Sequence, residues 1–143
     1  MGASEKFREL LLWACLSRDM LRTELEKRLE ADLPVSGASS AFRFFERDVP
    51  GHGCHVEWRE AIDGDHRILI LQAAPPFEES EAEVEAYGVV QDRQMFPRVP
   101  PGGVVAYSIR TAAGRPVGIQ YDSTGSKLIA ARVEFGEGSA AMS

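Results

Sequence analysis

Three histidines and two cysteines are the side chains of this chain best suited to bind a transition metal. His52, Cys54 and His55 lie close together, and His66 follows within the next turn. Zinc accepts imidazole and thiolate ligands. Cys54 and His55, however, are consecutive residues of a predicted strand, so their side chains point to opposite faces. We therefore expect no metal site and no bound cofactor.

Carboxylates form a second group that could do acid–base chemistry. Glu24 and Glu26 lie on a predicted helix about 200° apart around its axis, so they do not converge. A run of glutamates at 78–85 is typical of a solvated helix face. No serine has the His and Asp context of a nucleophile. Spacing alone therefore indicates no active site.

Aromatic side chains alternate with arginines in two predicted strands, FRFFER (42–47) and CHVEWRE (54–60). Aromatic and arginine side chains on an open sheet face are how RNA-recognition modules stack bases. The signature sequence of those modules is absent, and half of these aromatic side chains must fill a core. The pattern permits RNA binding without establishing it.

The N-terminal elements follow from apolar spacing. The run FRELLLWA (7–14) favours a buried first strand, with a helical turn as the alternative. A helix is predicted over 18–32, capped by Ser17 and ended by Pro34. Its apolar stripe consists of leucines four residues apart, Leu21, Leu25 and Leu29.

The order of all the predicted strands and helices indicates a ferredoxin-like (RRM-like) β-α-β-β-α-β fold of the α+β class. This fold has an antiparallel sheet with two helices on one face. A meander at 42–47, 54–60 and 67–72 follows a small-residue loop at 35–40, and a second helix is expected at 77–87. Later strands are expected at 104–110, 117–121 and 127–135. We expect one domain over 1–135 and a flexible tail over 136–143.

Composition narrows the class of protein. The chain has 143 residues and a net charge of -6, which disfavours a generic nucleic-acid binder because phosphate contacts need clustered Lys and Arg. No apolar run is long enough to span a bilayer. Two cysteines without an export signal favour free thiols and a cytoplasmic location, and no membrane partner is expected.

Four stretches together resemble the N-terminal half of the CasE family, CRISPR RNA endonucleases of the Cascade-type surveillance complex that serve antiviral defence. They are LLLWACLSRDMLRTELEKRLEADLP (10–34), FRFFER with GCHV (53–56), ILILQAAPP (68–76) and VPPGGVVAYSIRTAAGRPV (99–117). The resemblance implies an RRM-like fold, metal-independent chemistry and a repeat-RNA context. It covers about residues 10–117.

The departures from that family bear on activity. Aligning Ser17, Arg18 and Asp19 with the family's turn puts Glu24 where the family has its catalytic His. The family's second ferredoxin-like half has no counterpart in this chain. The resemblance therefore implies a CRISPR-associated RNA-binding domain without catalytic residues of its own, and we expect no cleavage of repeat RNA by this chain alone. Arg18, Arg22 and Arg110 are the implied RNA contacts, and a protein partner of a Cascade-like complex could supply the missing half.

Two other functions fit the same residues. The acidic segment and the negative net charge favour a small protein-interaction module that meets a basic partner. A ferredoxin-like ligand-binding protein is the other alternative, because that fold hosts many activities.

Overall fold

The N-terminal segment forms a helix where a strand was predicted. The computed structural model describes residues 2–98 and 102–136, and Ala3–Leu16 is an α-helix, α1. Its buried side chains recur at i, i+3, i+4, i+7 and i+8, namely Phe7, Leu10, Leu11, Ala14 and Cys15. The predicted strand at 7–14 is wrong because a short apolar run fits a strand and one face of a helix equally well.

The second helix is present but shorter than predicted. It spans Arg22–Leu29 (α2) and buries its two leucines, so the central part of the helix predicted at 18–32 is confirmed. Ser17 is not its N-cap. It is the C-cap residue of α1, and its hydroxyl donates to the Trp13 carbonyl oxygen at 2.7 Å.

The first half of the sheet is the predicted meander with one added edge strand. Its strands are β1 (Val35–Ala38), β2 (Phe42–Val49), β3 (Cys54–Ala61) and β4 (Arg67–Glu78). The ladder places Phe45 opposite Trp58, and Trp58 opposite Leu69. The meander is confirmed, whereas the loop predicted at 35–40 contains β1.

The second half of the sheet contains β5 (Val89–Phe96), β6 (Val104–Arg110), β7 (Pro116–Asp122) and β8 (Lys127–Phe135). The last three confirm predicted strands, and β5 was not predicted. The α-helix predicted at 77–87 is wrong. β4 continues to Glu78, and only a 3₁₀ helix, Glu81–Ala86, follows.

All eight strands form one antiparallel sheet in the order β1-β2-β3-β4-β8-β7-β6-β5. The ferredoxin-like β-α-β-β-α-β fold is therefore wrong. That fold needs helical crossovers between strands, whereas here both helices precede β1 and every neighbouring pair of strands is antiparallel. The tail predicted at 136–143 lies outside the described residues, apart from Gly136.

The sheet has a covered face and an open face. α1 packs across β4 and β8, and the Arg22 guanidinium of α2 lies 3.9 Å from the centroid of the Phe45 ring. Alternate side chains on this covered face form the core, including Val56, Trp58, Leu69, Leu71, Ile119 and Val133. The intervening side chains form the open face, which no helix covers within the described residues. No helix in those ranges is long and apolar enough to cross a membrane.

Candidate functional site

The histidines and cysteines do not converge. Cys54 is buried in the core on the covered face. His55 points to the open face, where its Nδ1 lies 2.6 Å from Asp48 Oδ1 and its Nε2 lies 3.1 Å from Glu46 Oε1. His66 pairs separately with Glu134 at 2.9 Å. Within residues 2–98 and 102–136, no three His, Cys, Asp or Glu side chains are grouped to hold a metal.

The pKa values of two of these histidines are expected to lie on opposite sides of the ordinary histidine pKa of about 6.5. Hydrogen bonding to Asp48 raises the pKa of His55, with Glu46 adding to the effect. Burial lowers the pKa of His52, helped by Lys6 and Arg28. An NMR pH titration measures both midpoints. Replacing Asp48 by Asn should lower only the His55 midpoint, and coincident midpoints in the native chain would contradict this interpretation.

The arginines carried over from the CasE resemblance lie apart. Arg18 is exposed in the connection between the helices. Arg22 begins α2 and pairs with Glu60 at 3.4 Å. Arg110 ends β6, on the other half of the sheet from β3, and donates to the Gly114 carbonyl oxygen at 2.9 Å. Glu24, at the family's catalytic position, is exposed on α2. The structure does not bring these residues into one site.

The aromatic–arginine pattern divides between the two faces. Phe45 and Trp58 are buried in the core. Phe44 is half-buried on the open face, and the Arg59 guanidinium lies 5.2 Å from the centroid of its ring. Half of the aromatic side chains therefore fill the core, as expected, and the others border the open face.

A buried carboxylate at the end of β4 is the centre of a polar cluster that the sequence did not reveal. Glu79 is only 3% exposed. Its two oxygens accept hydrogen bonds from the Tyr87 hydroxyl at 2.6 Å and the Tyr121 hydroxyl at 2.7 Å. Arg8 Nε of α1 lies 2.9 Å from Oε1. The carboxylate thus joins α1, β4, β7 and the segment that precedes β5.

Glu81 forms a second, adjoining cluster. Its Oε1 accepts from the Tyr107 hydroxyl at 2.6 Å and from Arg93 Nε at 2.9 Å. Arg93 and then Tyr107 lower the pKa of Glu81. Gly125, in the β7–β8 turn at φ 69°, makes room for this carboxylate, because a Cβ there would collide with Glu81 Oε2.

These two clusters use every tyrosine of the chain as a hydrogen-bond donor. Burial, and then the Glu79 carboxylate, raises the pKa of Tyr87 and of Tyr121. The hydroxyls therefore stay protonated and continue to donate at neutral pH. Both carboxylates are fully engaged with neighbouring side chains. We therefore interpret the clusters as structural contacts that stabilise the packing of these segments, and not as a reaction centre.

A hollow of small residues lies on the open face, between the middle of the sheet and its β5 edge. Neighbouring strands β6, β7 and β8 present Ala106, Ser108, Gly118 and Ala130 there, in a depression of about 320 Å³. Three larger side chains, Ile70, Gln120 and Arg132, also line it. Because these side chains are small, another chain can approach the backbone of these three neighbouring strands closely.

Gly118 is not explained by the packing of its own chain. Its backbone has no positive φ, and an added Cβ would meet only the Tyr107 carbonyl oxygen at 4.0 Å. Glycine within a strand weakens the strand and often marks the close approach of another group. The hollow is therefore the candidate functional site.

Arg132 gives this site a charge. The side chain is exposed where it lines the hollow, and no ion pair to it occurs among the described residues. By contrast, Arg59 on the same face is paired with Glu57 at 3.2 Å. The Arg132 guanidinium can therefore donate to a carboxylate of a bound molecule.

We compared the chain with known proteins, and no protein-family model, no curated protein and no solved structure matches it.

Proposed function

We propose that the protein is a protein-interaction module that binds an extended segment of a partner protein in the hollow of its open face. The observation that supports this most directly is Gly118, a strand glycine that neither its φ nor its own neighbours require. The exposed amides of Gln72 and Gln120 can hydrogen bond to a peptide backbone. The Arg132 guanidinium can donate to a carbonyl oxygen or to one carboxylate of that segment.

The charges of the open face favour a polypeptide over a nucleic acid. In the described part of the chain the Arg and Lys side chains of its strands on this face are Arg59, Arg110, Lys127 and Arg132. More carboxylates share the face, namely Glu46, Asp48, Glu57, Glu78, Asp92, Asp122 and Glu134. A phosphate backbone would be repelled by these acids, because binding it requires clustered Lys and Arg. An extended peptide needs only small side chains, amides and one counter-charge.

Replacing Gly118 by Thr is expected to stabilise the fold and to abolish partner binding. A β-branched residue suits a strand better than glycine, so the free energy of unfolding should rise by about 0.5–1 kcal/mol. The same side chain fills the hollow. Chemical denaturation measures the first effect, and the partner's Kd measures the second. Gly118→Ala is the graded control, and a destabilised Gly118→Thr variant would contradict the geometry described for this position.

The partner can be identified by site-specific photocrosslinking in native cells. A photoreactive residue at Ser108 lies in the hollow, and one at Thr23 lies on the exposed surface of α2 as the control. We expect one protein to crosslink from Ser108 and not from Thr23, and the Gly118→Thr change to remove it. Equal labelling from both positions would refute a site on the open face.

RNA binding is the second candidate function. The Arg59 guanidinium beside the Phe44 ring on the open face is the observation that favours it. A CRISPR repeat-RNA partner and a Cascade-like assembly therefore stay predictions of the CasE resemblance. Recovery of RNA rather than protein from the Ser108 crosslink would support this function and contradict the peptide site.

A further inference from the structure

The strand β5 is a long edge of the sheet with exposed apolar side chains at both ends. It pairs with β6 on one side only, over Val89–Phe96. Seven large apolar side chains are exposed in the described residues, and three of them lie on this strand: Val89, Met95 and Phe96. Natural proteins usually blunt such an edge with charged side chains, Pro, a β-bulge or short length. β5 has eight residues without Lys or Pro, and its bulge and its two charged residues, Asp92 and Arg93, lie in the middle of the strand.

Two backbone groups of β5 make contacts with side chains of the strand itself. The Asp92 carboxylate accepts from the N–H of Arg93 at 2.9 Å, and the Gln91 amide lies 3.5 Å from the Val89 carbonyl oxygen. A pairing strand can replace both of these local contacts with ladder hydrogen bonds.

The order of residue types along β5 is the same in both directions. The strand VVQDRQMF has two apolar residues at each end and four polar residues between them. An antiparallel pair of identical strands brings each end against the opposite end of the other copy. This symmetric order is therefore what self-pairing requires.

The faces of the side chains select one register. A β-bulge between Val90 and Asp92 places Val90 and Met95 on the covered face and Val89 and Phe96 on the open face. A two-fold axis at Arg93 then pairs Val90 with Met95 and Val89 with Phe96 across the axis. Every pair consists of side chains from the same face, as an antiparallel ladder demands.

Charge at the axis does not oppose this register. Each Arg93 guanidinium leans away from the edge, toward the Tyr107 ring 5.8 Å away. Its own Glu81 neutralises it at 2.9 Å. The two arginines therefore approach as neutral ion pairs rather than as bare like charges.

We propose that two copies of this chain form a dimer by antiparallel pairing of their β5 strands about a two-fold axis at Arg93. The opposite edge, β1, has only four residues, half the length of β5, which favours closed pairing of β5 with β5 over open chains of molecules. The axis is normal to the sheet, so both open faces lie on the same side of the continuous sheet.

The test is a charge exchange at one cross-strand pair. Val89→Glu and Phe96→Lys change exposed side chains that face each other only across the proposed axis. Sedimentation equilibrium should show a dimer for the native chain, and each variant alone should have a dimer Kd raised at least about tenfold. An equimolar mixture of the two variants should recover the dimer, because the carboxylate introduced at position 89 of one copy meets the ammonium introduced at position 96 of the other.

The control is Val35→Lys on the edge strand β1, where the side chain is 67% exposed. It should leave the dimer unchanged. A native chain that stays monomeric up to about 500 μM, a Kd far weaker than specific dimers have, would overturn the proposal. So would a dimer that Val89→Glu and Phe96→Lys leave intact, or a mixture that fails to recover it.

Discussion

Replacing Glu79 by Ala is expected to lower the free energy of unfolding by about 3–5 kcal/mol, the range for breaking a buried ionic network on one side. The change leaves the buried hydroxyls of Tyr87 and Tyr121 without their acceptor, and it removes the ion pair of Arg8. Each unsatisfied buried donor costs about 1–3 kcal/mol by itself. Urea denaturation followed by the fluorescence of the two tryptophans measures the loss.

Glu83→Ala is the matched control for this prediction. Glu83 also faces Arg8, but at 3.9 Å and with its side chain 49% exposed. Exposed ion pairs contribute about 0–1 kcal/mol, so the control should unfold close to the native midpoint. Similar losses of unfolding free energy in the two variants would mean that the Glu79 carboxylate stabilises the fold no more than its solvated neighbour. That result would refute the structural role of the Glu79 cluster.

The acidic segment shows where sequence reasoning fails in this chain. A run of glutamates predicted a solvated helix face, and Glu83 and Glu85 are exposed. Glu79 and Glu81 instead bind tyrosines on distant strands, Tyr121 being 42 residues away from Glu79. Local spacing contains no signal for such partners, because they come together only when β4, β6 and β7 share a sheet.

The elements that were predicted correctly have a regular spacing of apolar residues. Cys54, Val56 and Trp58 alternate with polar residues, and the structure buries all three. β5 lacks this signal because it is an edge strand, with nearly every side chain in solvent. Without a buried face there is no alternation to detect, and with β5 missed the order of strands could not be predicted.

The prediction for the first helix was wrong for a different reason. Four core-facing residues, Phe7, Leu10, Leu11 and Ala14, lie within the predicted strand at 7–14. Leu12 and Trp13 lie between them and make the apolar run continuous, which hides the helical spacing. The wrong assignment then placed a strand before α2 and so created the ferredoxin-like order. The hollow was also missed, since small residues on three strands converge only in the folded sheet.

A steep loss of stability is expected as the pH rises from about 8.5 to 12. Burial raises the pKa of Cys15 and of Cys54 to about 12. In the unfolded chain a thiol ionises near a pKa of about 8.5 and a tyrosine near about 10. Tyr87 and Tyr121, whose pKa is also raised by burial, therefore join the effect at higher pH.

The sign follows from the protons that each state holds. A group with a raised pKa keeps its proton in the folded chain and loses it in the unfolded chain, so alkaline conditions favour unfolding. Its contribution to stability is fully present at a pH below its pKa in the unfolded chain, and it is lost as the pH rises toward its pKa in the folded chain. Each such group lowers the free energy of unfolding by up to about 1.4 kcal/mol per pH unit within that interval.

Urea denaturation under reducing conditions, repeated between about pH 7 and pH 10.5, measures this slope. Cys54→Ala should lower the stability at neutral pH, because it leaves a cavity in the core, but it should also flatten the slope between about pH 8.5 and pH 10. Ser17→Ala, on the half-buried end of α1, is the control, since it removes no group that titrates in this range. A native chain equally stable at the two ends of this pH range would show that the two thiols are accessible to solvent.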